Sequence, residues 1–227
     1  MEQTSIQLGQ LIIMEPVTTL TDLIVALVCF VAFYNLKHHP DSGHLSKRLY
    51  RYFFLAMALS TLYGGLIGHA FLHYLSFGWK APGWIVSMLS VALAERAAIM
   101  HARPVMNHNY SRFFAVLNII ELLTFMTLTL TFMKFIYVEI HALYGLMLVV
   151  FAFEFYVFKK VKDQGSKLVL LSVGIGFLTL IVHLAKISIH PWFNFLDLSH
   201  VLMAISSYIM YKGVDTMKIY VKTDKSQ

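Results

Sequence analysis

Apolar stretches of about 20 residues recur along the whole of this 227-residue chain, each long enough to cross a hydrocarbon core roughly 30 Å thick. Seven spans are predicted: Thr18 to Leu36, Tyr52 to Tyr74, Pro82 to Met100, Phe113 to Phe132, Ile136 to Phe158, Leu168 to His190, and Phe195 to Lys212. Backbone in lipid must satisfy its own hydrogen bonds, which makes each span a helix. The connections are short. One all-α, seven-helix transmembrane bundle over residues 1–227 is therefore expected, with a polar tail at 218–227. Composition agrees, since 58% of residues are hydrophobic and 13% charged, which excludes an ordinary soluble domain.

The net charge of +6 is distributed unevenly. Basic residues follow the first span (Lys37, Lys47, Arg48, Arg51), the third (Arg103, Arg112) and the fifth (Lys159, Lys160, Lys162, Lys167), and close the chain (Lys212, Lys218, Lys222, Lys225). The opposite loops carry only Lys80 and Lys134. The positive-inside rule reads this as N-terminus out and C-terminus in, which requires an odd number of spans. The clusters are topology signals and contacts for anionic membrane lipids, and nucleic acid is not an expected partner. No basic segment precedes Leu8 to Met14 and no small-residue cleavage site follows, so the first span is expected to be retained. The lone cysteine, Cys29, lies mid-span and reads as a small buried apolar residue.

Ionisable side chains are costly inside a bilayer and mark functional sites. His69, His183 and His200 each fall in a different apolar run, at about the same depth beneath the outer surface. Glu15, Asp22, Glu139, His141, Tyr144, Lys186, His190 and Asp197 fall in the same outer layer. His69 and His73 are four residues apart, so on an α-helix both project from one face. Three imidazoles are a usual ligand set for catalytic zinc, which keeps one position open. His69, His183 and His200 are the predicted metal ligands. Asp22 or Asp197 would serve as general base or orient an imidazole, and Lys186 would stabilise an oxyanion. Two of these residues have plainer readings. Thr19-x-x-Asp22 and Asn194-x-x-Asp197 both have the form of a capping box. An inner group, Glu95, Arg96, Asn118, Glu121 and Glu154, reads as a clamp in which Arg96 neutralises Glu121 or Glu154. His38, His39 and His44 sit in a polar, turn-rich loop and read as solvated residues.

Two stretches carry a family resemblance, Gly65-Leu-Ile-Gly-His69 and Leu196-Asp-Leu-Ser-His200. With the seven-span, N-out pattern they resemble the CREST superfamily of membrane hydrolases, which includes the alkaline ceramidases and adiponectin-receptor-like proteins. That family places a Ser-x3-His on its second helix and a His-x3-His on its seventh around zinc, so the resemblance implies that His69 and His200 are ligands. Gly65 stands at the serine position, Leu196 at the first histidine of the last pair, and Lys80 where an aspartate follows His69. Glu15-Pro-Val-Thr-Thr-Leu-Thr-Asp22 is also similar to a small bacterial membrane-protein family of unknown function, which implies a bacterial inner membrane. The expected function is metal-dependent hydrolysis of a lipid amide or ester, with zinc as cofactor. The alternative is a transporter, channel or sensor binding a proton, ion, small ligand or b-type haem in the same layer.

Overall fold

A computed structural model describes residues 4–220. It opens with an antiparallel hairpin, β1 (Ser5–Leu8) and β2 (Leu11–Met14), which the hydropathy pattern did not predict. Leu8 pairs with Leu11, and Gly9 (φ 62°) supplies the left-handed residue that a two-residue loop requires. The helices that follow are α1 (Pro16–Lys37), α2 (Leu45–Tyr63), α3 (Ala81–Ala102), α4 (His108–Phe132), α5 (Ile136–Leu143), α6 (Phe151–Val161), α7 (Gln164–Leu184) and α8 (Phe195–Thr216). A π-helical segment, Gly64–Ala70, extends α2, and another, Tyr144–Val150, joins α5 to α6 in one continuous rod.

Seven helical rods thus stand where seven spans were predicted, and the chain is all-α apart from the hairpin. Six of the rods are long and apolar enough to cross a membrane. The seventh, α8, is 22 residues long but less apolar, because Asp197, Ser199, His200, Ser206 and Ser207 lie on it. Most of these face inward: Asp197, Ser199 and Ser207 are buried, and the Ser206 hydroxyl donates to the Ser172 carbonyl (2.8 Å).

Neighbouring rods close a ring, with α1 on α2, α2 on α3, α3 on α6, α6 on α7, α7 on α8, and α8 back on α1. Ala94, Ala97, Ala98 and Ala102 line α3 and are fully buried, letting α2 bring Tyr50, Phe53 and Phe54 close. α4 lies outside the ring against α3. It shows Phe113, Val116, Ile120 and Leu123 on its surface, the outward-facing apolar band expected of a helix in lipid.

Close approach fixes the α7–α8 seam. A Cβ built on Gly213 would lie 2.8 Å from Val169 Cγ2 and 2.9 Å from both the Gly165 carbonyl oxygen and the Val169 nitrogen. Backbone cannot yield as a side-chain tip can, so Gly213→Ala is expected to cost about 1–3 kcal/mol. A lower midpoint in thermal unfolding of the purified protein checks this, and an unchanged midpoint would show that the seam opens freely.

Charge within the ring is neutralised differently from the predicted clamp. Arg96 pairs with neither Glu121 nor Glu154; its Nε donates to Asn118 Oδ1 (3.1 Å) and its Nη2 to the Ala115 carbonyl, both on α4. Glu154 has other partners. It accepts from the Tyr50 hydroxyl (2.8 Å), the Ser166 hydroxyl (2.7 Å) and His101 Nδ1 (3.0 Å). His101 Nε2 donates to the Lys218 carbonyl (3.1 Å), so its ring lies between two acceptors and carries both protons. Asp163 caps α7 through the Ser166 amide and holds Lys218 N and the Tyr220 hydroxyl. Burial, with Asp163 alongside, pushes the Tyr220 phenol up to about 12. Lys222, Lys225 and the rest of the predicted tail from 221 lie outside the described residues.

Candidate active site

Five rods, α1, α2, α3, α7 and α8, and the α5–α6 rod enclose a cavity of about 990 Å³. Glu15, Asp22, His69, Lys80, Glu139, His183, Lys186 and His200 all line it. Apolar side chains such as Phe53, Met57, Val173, Phe177, Leu180 and Met203 line it as well. A concave, largely apolar wall with a few convergent polar groups is the usual form of a small-molecule site.

The hairpin and the start of α1 position the first two acids. Pro16 opens α1, the favoured place for a residue with fixed φ and no N–H. Glu15 before it adopts φ 44° in the left-handed region, a strained conformation for a non-glycine residue. Its amide donates to the Thr4 carbonyl (2.8 Å), and its Oε2 meets His69 Nδ1 at 2.6 Å. Because the helix begins at Pro16, Asp22 lies in its second turn and is not a cap. The Thr19-x-x-Asp22 capping box is therefore not formed. Asp22 is buried and packs where Gly65 has no side chain: a Cβ there would stand 2.9 Å from Asp22 Cβ.

Two imidazoles flank this carboxylate. His69 Nε2 faces Asp22 Oδ2 at 3.8 Å, and His200 Nε2 faces Asp22 Oδ1 at 3.5 Å. The far nitrogens fix the tautomers. A carboxylate can only accept, so His69 Nδ1 donates to Glu15. The Thr21 hydroxyl donates to the Thr18 carbonyl (3.0 Å) and so accepts from His200 Nδ1 (3.1 Å). In the neutral tautomers both Nε2 lone pairs then point at an acceptor. With Asp22 ionised and both rings neutral, the three groups meet as acceptors.

The remaining predicted residues separate into two groups. His183 and Lys186 reach the cavity, with His183 Nε2 3.2 Å from Glu139 Oε1 and its ring edge-on to Phe195 at 5.2 Å. Lys186, at φ 53°, follows the end of α7. Asp197 does not line the cavity. It is fully buried, its Oδ2 accepts from the Asn194 amide (2.6 Å) in a complete capping box, and its Oδ1 accepts from the Thr18 hydroxyl (2.7 Å). It caps α8 and ties it to α1. His73 also falls away: the Phe71 amide bonds the Leu66 carbonyl five residues back (2.9 Å), and His73 continues in a short 3₁₀ turn, exposed and edge-on to Tyr74. The π-segment thus breaks the four-residue spacing that would have paired it with His69. Lys80, which no sequence pattern assigned to the site, folds back from the α2–α3 loop onto the cavity.

His69, His183 and His200 share a cavity, but neither they nor Asp22 with its two flanking imidazoles bring one donor atom each within 4.8 Å of one another. Among the described residues, the group of three whose donor atoms all lie within 4.8 Å of one another is Glu95, Glu121 and His141, a buried set that could hold a metal ion. His141, predicted in the layer of His69, belongs to that set instead.

Six rods fit to cross a membrane, around a cavity where acids, histidines and lysines meet apolar walls, fit a polytopic helical membrane protein with an internal polar site. The chain belongs to the family described as a family of unknown function, DUF6962, whose model matches residues 17–219. No curated protein and no solved structure matches it.

Proposed function

We propose that this protein is an integral-membrane hydrolase that cleaves a lipid amide or ester in the cavity, with zinc held by His69, His200 and Asp22. One observation carries the reading: two imidazole Nε2 atoms flank one buried carboxylate, 3.8 Å and 3.5 Å from its oxygens, while Glu15 and Thr21 hold the far nitrogens. Two imidazoles, one carboxylate and acceptors already oriented behind them are a donor set suited to zinc. The two histidines concerned are also those that the CREST resemblance marks as ligands. Its serine position is Gly65, whose missing side chain makes room for Asp22.

Bound zinc supplies Lewis-acid polarisation of the acyl carbonyl. The protein's own groups supply the rest. Glu139 orients His183 at the cavity wall, where its imidazole moves a proton as general base or acid. Lys186 and Lys80 bring positive charge to an oxyanion. The apolar wall holds the acyl chain. Positive-inside charge supports a site toward the extracytoplasmic leaflet.

The test is elemental analysis of the purified protein together with release of fatty acid from a panel of lipid amides and esters. Replacing both His69 and His200 by Ala is expected to remove about one zinc per chain and to abolish release. Wild-type protein that is folded yet turns over no lipid amide or ester, or a double variant that keeps its activity, overturns the proposal. A thermal shift with a small ligand but no turnover would mark a sensor or transporter instead.

A further inference from the structure

Away from the cavity, α3, α4 and α5 bring Glu95, Glu121 and His141 together. All three are buried, with relative exposures of 0%, 8% and 0%. His141 Nε2 donates to the Met88 carbonyl (2.9 Å), since a carbonyl can only accept. Its Nδ1 lies 2.6 Å from Glu121 Oε1. Neither oxygen of Glu95, nor Oε2 of Glu121, has a hydrogen-bond partner among the described residues. Of the nearby groups, Asn118 Nδ2 donates to the Ala92 carbonyl (3.3 Å), and Arg96 Nε donates to Asn118 Oδ1.

The contrast with Glu154 is informative. That carboxylate, equally buried, meets Tyr50, Ser166 and His101. Glu95 meets no such donor, and three unpaired carboxylate oxygens in an interior are too costly to stand by themselves. A proton shared between the acids would draw two oxygens into a short hydrogen bond, and no such bond is present. One proton on Glu95 together with one on His141 cancels the charge, yet leaves Glu95 and Glu121 Oε2 without partners. A divalent cation neutralises both carboxylates and gives every open oxygen a partner. The donor atoms, all within 4.8 Å of one another, are close enough to share it.

We infer that Glu95, Glu121 and His141 form a second, closed metal site that takes a zinc-type divalent ion and staples α3, α4 and α5. The donor set selects the ion class. One imidazole nitrogen and carboxylate oxygens in a dry, enclosed space suit zinc, whereas calcium and magnesium require six or more oxygens or retained water. The Met88 carbonyl holds His141 as ligating histidines are usually held, by the nitrogen away from the metal. Gly145 on the adjoining π-segment makes room for the acid: a Cβ there would lie 2.5 Å from Glu95 Oε1. The three ligands are buried and do not line the cavity, which suits a closed, structural site.

The test uses the full chain carrying Asp22→Asn, which removes the cavity donor set, loaded with zinc and freed of excess by dialysis. About one zinc per chain is expected to remain, and chelation is expected to lower the unfolding midpoint. Adding Glu95→Gln and Glu121→Gln is expected to remove that zinc and the response to chelator. Gly145→Ala, which displaces Glu95 without changing the identity of any ligand, is expected to lose the zinc too, and it provides the reading should the double glutamine variant not fold. Zinc absent from folded Asp22→Asn protein, or unaffected by the substitutions at this second site, overturns the inference. The cavity assignment is read separately, from zinc lost on Asp22→Asn alone and from lipid turnover.

Discussion

Asp22→Asn is expected to give a protein that is more stable than its parent in the absence of metal, binds no metal at the cavity and turns over no lipid. The sign follows from the donor inventory around this side chain. With Asp22 ionised and both rings neutral, the buried carboxylate of the metal-free protein faces two imidazole lone pairs across 3.8 Å and 3.5 Å. An asparagine of the same shape is uncharged and brings N–H groups, one of which can donate to a bare Nε2. Relief of an unsatisfied buried group is worth about 1–3 kcal/mol. The same change removes the anionic ligand. Opposite effects on stability and activity are usual where a site stores unfavourable contacts for function. Thermal unfolding in the presence of chelator, run beside the hydrolysis assay, measures both. A variant less stable than its parent, with metal content intact, would contradict the acceptor-only description of the pocket.

Glu154→Ala is expected to be the most damaging single change to the bundle. The carboxylate is fully buried and receives hydrogen bonds from α2, α3 and α7 through Tyr50, His101 and Ser166. Removing it strands two hydroxyls and leaves the His101 imidazolium facing only the Lys218 carbonyl. Breaking a buried charge pair from one side costs about 3–5 kcal/mol, because the surviving charge keeps its desolvation penalty. Glu154→Gln retains an acceptor oxygen and should lose less. The ordering of unfolding midpoints, parent above Gln above Ala, is the check, and equal midpoints would mean that water reaches these groups.

The rods could be read from the sequence because length and apolarity in lipid are local constraints, visible in any window of the chain. The cap at Asn194 and Asp197 was legible for the same reason, since both partners lie within one turn. Individual polar residues in apolar runs marked His69, His183 and His200 as unusual, but hydropathy carries depth and no azimuth. Whether Asp22 sits between two imidazoles depends on how α1, α2 and α8 are rotated against one another. Glu95, Glu121 and His141 come from three helices, and nothing in their spacing pairs them. Arg96 illustrates the same limit: its charge suggested an acid as partner, whereas packing gave it an amide and a carbonyl on α4. The hairpin before α1 was missed because its strands are only four residues each and mostly exposed, so neither shows a buried face.

The π-segment at Gly64–Ala70 ties residue number to function in a way that substitution cannot reveal. Each residue of a regular helix advances the chain by about 100° around its axis. Deleting Leu66 would let the helix recover its ordinary pitch, with backbone bonding improved. Everything beyond that point, His69 included, would turn away from Glu15 and Asp22. A chain that keeps this site must keep the segment's length as well as Gly65 and His69.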